Sequence, residues 1–260
     1  MITFGGMTAP SGFSFLVARL TSDGALDPTF GTGGIRVDSP QGGETTEAIA
    51  MRPNGRIVAV GSSFLGSDTA VTFEVGVGGG LLPSWGICGY RNVQVAGATT
   101  GGTYGVIIDP DGRTVAVGFS SVGLGSGRLF VVRLLPDSTI DPTFGTAGVV
   151  DLELGGPDAF AIATGVARGT DGRLYLSGRT TSAQSTRGFV LALTDGGVPD
   201  GSFAPGGLVY LDAQQLTPED IDVTADDRVL VVGSSTIGAT TDLAVARLAR
   251  NVSVAPAYTC

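Results

Sequence analysis

The chain contains no histidine and no lysine; all 15 of its cationic residues are arginine. Without histidine the commonest general base and a common metal ligand are missing. Without lysine there is no Schiff-base chemistry and no phosphate-loop cation. Only two cysteines occur, Cys88 and Cys260, too few for a disulfide framework. A bridge between them would span most of the chain, so two independent thiols is the simpler reading. No run of about 18 apolar residues exists, and no membrane span is expected. Met1–Gly6 lacks the basic region, apolar run and cleavage site of a signal peptide. The net charge of −9 repels phosphate backbones, so no nucleic-acid partner is expected.

What is abundant is glycine, 43 of 260 residues, with 42% hydrophobic and only 15% charged residues. That much glycine without a three-residue period indicates many tight turns. The length suffices for a sizeable core.

A repeat organises the whole sequence. Phe15–Gly31 (FLVARLTSDGALDPTFG) returns as Phe130–Gly145 (FVVRLLPDSTIDPTFG). Pro53-Asn54-Gly55, Pro110-Asp111-Gly112, Thr170-Asp171-Gly172 and Ala225-Asp226-Asp227 each precede an Arg and an apolar run: Arg56–Gly61, Arg113–Gly118, Arg173–Gly178 and Arg228–Gly233. Those arginines lie 57, 60 and 55 positions apart. Asn-Gly and Asp-Gly supply the positive φ of short hairpins, so each turn joins two strands. Consecutive apolar residues, such as Val229 to Val232, read as strands buried on both faces.

A third strand is Phe15–Leu20, Phe73–Val77, Phe130–Leu135, Phe189–Leu193 and Leu243–Leu248. A fourth follows the Asp-Pro-Thr-Phe-Gly turn, as Gly34–Asp38, Gly148–Leu152 and Gly207–Asp212, with Pro83-Ser84-Trp85-Gly86 standing for the turn in the second unit. Four short strands per unit is the pattern of a β-propeller blade. The expected fold is therefore all-β, a single propeller of five four-stranded antiparallel blades whose first lacks its inner strand. The repeat units run over about 1–44, 45–102, 103–158, 159–218 and 219–260. Thr217–Val223 is the one segment with a trace of helical pattern, too short to alter the class. The tail Val252–Tyr258 either replaces the missing fourth strand of the last blade or pairs with the first blade.

These units resemble the delta-60 repeat through Phe-x-Val-Ala-Arg-Leu, Asp-Gly-x-Leu-Asp-x-Thr-Phe-Gly and the Pro-Asp-Gly hairpin. Arg56, Arg113, Arg173 and Arg228 stand where that family usually carries lysine, and the pattern degrades around Gly76–Gly102. The resemblance implies a propeller-like fold within large bacterial, exported or surface proteins, and no established activity.

Several groups invite a chemical reading. Asp27, Asp141 and Asp200 each precede an aromatic by three residues, and Arg19 and Arg133 lie eleven before it. In the fourth unit Ala192 replaces the Arg while Asp200 persists. Asp bonding of local turn N–H groups therefore accounts for the pattern better than ion pairing. Calcium bound by Asp23 with Asp27, Asp137 with Asp141 and Asp195 with Asp200 is the alternative, although calcium takes six to eight oxygens and the Asp-x-Asp-x-Asp-Gly loop is absent. Gly78–Gly80 and Gly101-Gly102 precede neither helix nor lysine and read as loops rather than phosphate cradles. Ser62-Ser63, Ser120-Ser121 and Ser234-Ser235 recur without a His to activate them. Glu219-Asp220 and Asp226-Asp227 offer paired carboxylates of the kind used on glycosides, or solvated turns. Trp85, Tyr90 and Tyr104 offer a stacking platform, or core.

No catalytic, cofactor-binding or metal residue is assigned on this basis. The variable loops Gly6–Gly12, Ser63–Thr69, Ser120–Gly127, Thr180–Arg187 and Ser234–Thr241, with the links Ser39–Thr45, Arg91–Gly102, Glu153–Asp158 and Ala213–Pro218, form one face, where a protein or glycan ligand is expected. The sequence is read as a monomeric, non-catalytic binding or structural module. A hydrolase or lyase using acidic residues at the central channel is the alternative.

Overall fold

In a computed structural model of the chain, residues 2–9, 12–39, 43–64, 69–93, 95, 97–123, 126–212, 215–237 and 240–249 are described. They form five antiparallel sheets. The first blade holds β1 (Ile2–Ala9), β2 (Gly12–Arg19) and β3 (Ile35–Asp38), and the second β4 (Ala48–Met51), β5 (Ile57–Ser63), β6 (Thr69–Val75) and β7 (Tyr90–Val93). The third is β8 (Thr100–Ile108), β9 (Thr114–Ser121), β10 (Arg128–Leu134) and β11 (Val149–Leu152). The fourth is β12 (Phe160–Arg168), β13 (Leu174–Thr181), β14 (Thr186–Leu193) and β15 (Leu208–Tyr210), and the fifth β16 (Leu216–Val223), β17 (Val229–Ile237) and β18 (Thr240–Leu248). This is the five-bladed propeller with an incomplete first blade.

Turn chemistry sets the hairpins. Gly55, Gly112 and Gly172 adopt φ of 79°, 84° and 88°, the left-handed region glycine enters without steric cost. Asp227 takes the same place at φ 58°. Its carboxylate accepts the Thr170 N–H and hydroxyl of the fourth blade, which ties the two blades at their turns.

The strands β4, β8, β12 and β16 pack side by side and line the axis, while β7, β11 and β15 form the rim. Each blade presents a forward face to the next blade and a backward face to the one before. Val115, Val117, Leu129 and Val131 of the third blade meet Leu174, Leu176, Phe189 and Leu191 of the fourth in one buried cluster. Side chains of this size contribute about 1.5–3 kcal/mol each when fully buried. The aromatic of each Asp-Pro-Thr-Phe-type turn seals the base: Phe30, Trp85, Phe144 and Phe203 are all buried.

Three details differ from the sequence reading. Thr217–Val223 lies within strand β16, because its backbone pairs with β17 and Ile221 enters the core. Phe73 does not superpose on Phe130: Gly61 pairs Val71 where Gly118 pairs Phe130, so Phe73 matches Val132. The fourth strand of the second blade is Tyr90–Val93. Cys260 and the tail Val252–Tyr258 lie outside the described residues, and Cys88 is an exposed free thiol.

Candidate functional site

The inner strands carry one irregularity in common. Register shifts occur between Thr103 and Gly105, Ala163 and Gly165, and Pro218 and Asp220. The inserted residues are Tyr104, Thr164 and Glu219. In the second blade the Cβ direction of Gly61 meets Thr45 O and Thr46 Cα, as Gly118 meets Gly102 O and Thr103 Cα. The residue that corresponds to the bulge there is Glu47. An inner strand is covered by blades on both faces, so a bulge turns the extra side chain toward the axis. Tyr104 and Thr164 are half-buried between buried neighbours, Glu47 is half-buried after the buried Thr46, and Glu219 is exposed. Glu47, Tyr104, Thr164 and Glu219 thus hold equivalent register positions on the four inner strands, and Thr164 Oγ1 donates to Pro218 O of the next blade at 3.2 Å. Each lies fourteen residues before Gly61, Gly118, Gly178 or Gly233, a spacing the sequence displays and the strand-by-strand reading missed.

Aromatic rings continue from Tyr104 toward the loops. Tyr104 lies 6.2 Å from Phe119 between centroids, and Phe119 lies 4.9 Å from Phe160. The stacking trio expected from the sequence is not assembled. Trp85 is core, donating Nε1–H to Thr72 Oγ1 at 3.0 Å, and Tyr90 is on a rim strand.

Three of the variable loops meet at a groove of about 540 Å³ lined by Ser185, Thr186, Arg187, Asp212, Gln215, Thr217 and Thr236. Arg187 donates Nε–H to Asp212 at 2.9 Å and lies 3.6 Å from the Tyr210 ring centroid. The guanidinium is held flat at the groove wall, and Asp212 is kept below the usual carboxylate range by it.

The turn aspartates divide their oxygens. Asp141 Oδ1 accepts the Thr143 N–H and hydroxyl, and Oδ2 accepts Arg133 Nε–H at 2.7 Å. Asp27 does the same with Thr29 and Arg19. Burial would raise the Asp141 pKa, but Thr143 and Arg133 together lower it to about 2. In the fourth blade Asp200 Oδ2 accepts from Arg173 at 2.6 Å and Oδ1 from Ser202. Ser202 first, then Arg173, hold it at about 2. Ion pairing therefore persists beside turn bonding, with the cation moved to another strand. The second blade inverts the scheme: Glu74 stands at the Arg position, and Arg52 of the inner strand pairs with it at 2.7 Å over Trp85.

The carboxylates of the suggested calcium pairs are engaged by partners of their own: Asp23 accepts from Thr21, Asp137 from Thr139 and Asp195 from Arg168. Among the described residues no group of three His, Cys, Asp or Glu side chains converges. Ser120 donates to Asp151 and Ser121 to Gly123 O, and Ser62 and Ser63 are buried, so these serines close strand ends. Asp226 and Asp227 form the last hairpin turn. Asp109, buried below the channel, pairs with Arg168 at 3.1 Å, and burial raises its pKa despite that cation and Arg113.

With this geometry in place, comparison with known proteins is informative. Residues 11–30, 110–144 and 224–251 match a family model described as a domain of unknown function (DUF5122) β-propeller. The match supports an uncharacterised β-propeller repeat family. No curated protein matches the sequence. Among solved structures, the chain is similar to the intramolecular trans-sialidase of Ruminococcus gnavus at 12% identity and TM-score 0.54, over 93% of this chain and 51% of that one. It therefore spans about half of that enzyme. It is also similar to the gluconolactonase XC5397 of Xanthomonas campestris, at 15% identity and TM-score 0.46 over 92% and 69% of the two chains, and to an endo-arabinase of Bacteroides thetaiotaomicron, at 12% identity and TM-score 0.45 over 95% and 89%.

The expectation of a non-catalytic binding or structural module is corrected by this finding. The trans-sialidase, similar at a TM-score of 0.54, is an enzyme, which favours the catalytic alternative over the expected one. The likeness itself is one of fold. No helix among the described residues is long and apolar enough to cross a membrane.

Proposed function

We propose that this chain is a propeller hydrolase or lyase that acts on a carbohydrate-type substrate at the loop-face mouth of its channel. Glu47 and Glu219 serve as its acid and base. The observation that supports the reading is the shared bulge register, in which Glu47 and Glu219 hold equivalent positions on two inner strands, with Tyr104 and Thr164 at the same position on the two between them. Cleavage of a glycosidic bond needs one carboxylic acid to protonate the leaving oxygen and one carboxylate on the opposite side. A chain without His or Lys has carboxylates as its principal groups for such work near neutral pH. The rings of Tyr104, Phe119 and Phe160 offer apolar faces for a sugar, and the hydroxyl-rich groove beside Arg187 offers hydrogen-bond partners. The named activities of the similar propellers, on sialosides, lactones and arabinans, define the substrate classes to assay first.

The delta-60 assignment belongs with this reading, on Phe-x-Val-Ala-Arg-Leu and Asp-Pro-Thr-Phe-Gly, and location in an exported or surface protein follows from that resemblance alone. The test is turnover of aryl glycosides, sialosides, lactones and polymeric arabinan by the purified chain, with Glu47→Gln and Glu219→Gln beside it. Turnover that falls at least about a hundredfold in either variant, with an unchanged melting temperature, is expected. Full activity in both variants, or no turnover of any of these classes, overturns the proposal.

A further inference from the structure

We propose that the groove between the fourth and fifth blades is a binding site selective for uncharged sugar units over acidic ones. This deepens the reading of a carbohydrate substrate and rests on it for the class of ligand. The repeat carries the argument, because the same notch recurs between other blades with different contents. Between the second and third blades it is lined by Thr69, Ala70, Val93, Thr100 and Gly101 and encloses only about 10 Å³. Strand register makes Arg187, Gly188, Leu211, Gln215 and Leu216 the equivalents of those residues. There the notch opens to about 540 Å³, a size typical of small-molecule clefts. Between the third and fourth blades Phe160 holds the position of Gln215, and its ring lies against Gly127 and Phe119.

The chemistry of the enlarged notch points to a neutral, hydroxyl-rich ligand. Arg187 and Asp212 form a two-bond pair, Nε–H to Oδ1 at 2.9 Å and Nη2–H to Oδ2. The Tyr210 ring beneath the guanidinium fixes its plane, while the two side chains stay 40% and 50% exposed. Asp212 remains ionised, because the Arg187 hydrogen bond holds its carboxyl below the usual range. The pair is therefore neutral as a whole, yet it presents N–H donors and carboxylate lone pairs side by side. Adjacent hydroxyls of a sugar can accept from one and donate to the other. An acidic sugar would meet a guanidinium already neutralised, on a chain of net charge −9, and is disfavoured. Thr186, Thr217 and Thr236 add hydroxyls to the lining. Thr217 stands two residues before Glu219 on β16, so the groove and that channel carboxylate share one strand.

The test is isothermal titration calorimetry of the full chain with arabinotetraose, xylotetraose and cellotetraose, and with tetragalacturonate as the acidic counterpart. At least one neutral tetrasaccharide is expected to bind about tenfold or more tighter than tetragalacturonate. Arg187→Ala removes a charge-assisted donor, and Gln215→Phe supplies the ring that Phe160 supplies one blade earlier. Each should weaken the binding about tenfold or more at an unchanged melting temperature. Asp212→Asn leaves the guanidinium unneutralised and should narrow or reverse the preference against tetragalacturonate. No binding of any neutral tetrasaccharide, a native preference for tetragalacturonate, or undiminished binding in Gln215→Phe overturns the proposal. Binding that meets these expectations without turnover upholds the groove and removes only the catalytic reading.

Discussion

Arg173 donates Nε–H to Asp200 at 2.6 Å, across blade positions where the first and third blades use Arg19 with Asp27 and Arg133 with Asp141. The cation has moved from the third strand to the start of the second, and the carboxylate has kept its partner. Asp200 is only 15% exposed in its side chain, as is Arg173, so each screens the other from an unpaired, poorly solvated state. Arg173→Ala is expected to destabilise the fold by about 1–3 kcal/mol. In a urea-unfolding double-mutant cycle, Arg173→Ala with Asp200→Asn should cost clearly less than the sum of the single changes. Strict additivity would show that the pair is not coupled.

The second blade supplies the inverted case. Arg52 is 7% and Glu74 3% exposed, and Arg52 also donates to Gly112 O and Thr114 Oγ1 of the third blade. Arg52→Ala leaves the buried Glu74 carboxylate with Arg56 alone, 3.9 Å away, and should cost about 3 kcal/mol. Adding Glu74→Gln to it should restore part of the loss, because the stranded charge is then gone. A double variant no more stable than Arg52→Ala, by urea midpoint, would refute this account.

Acid stability follows from the turn aspartates. Asp141 and Asp200 have pKa values lowered from 3.8 to about 2, so folding favours their charged forms. Their contribution is complete above about pH 4 and is lost as pH falls through the folded value near 2. Each is worth roughly 2 kcal/mol on that basis. Melting temperature should drop steeply between pH 4 and 2, and Asp141→Asn should flatten that drop while lowering stability at neutral pH. An acid slope identical in Asp141→Asn and the native chain would show that other groups control it.

Much of the propeller was legible because its signals are local. Asn54-Gly55 and Asp111-Gly112 specify turns through backbone conformation alone, and the Arg-led apolar runs that follow specify strands. The Asp200 partner is not legible: in the sequence Arg173 marks a hairpin, and its approach to Asp200 depends on strand pairing. The same holds for Glu47, Tyr104, Thr164 and Glu219. Their column is written in the spacing to Gly61, Gly118, Gly178 and Gly233, yet only the register shift turns spacing into direction. Val229 to Val232 read as buried on both faces, whereas Val231 is buried and Val232 exposed. Burial of a strand face belongs to its neighbour as much as to its own residues.

The glycines in the middle of the second strands provide the sharpest contrast. A Cβ on Gly118 would lie 1.9 Å from Gly102 O, and one on Gly233 2.1 Å from Thr217 O. Both oxygens belong to inner-strand backbone beside the bulge, so the strand itself would have to move. Gly123, by contrast, has φ 90° with nothing within 4 Å of its Cβ direction. Gly123→Ala carries only the strain of the left-handed conformation, about 1 kcal/mol. Gly118→Ala should cost about 3 kcal/mol or more and displace Tyr104 from the channel. Urea unfolding gives the stability order, and near-ultraviolet circular dichroism reports the aromatic environment. Equal stability of the two variants would mean that the inner strand yields freely and does not fix the register of Glu47 and Glu219.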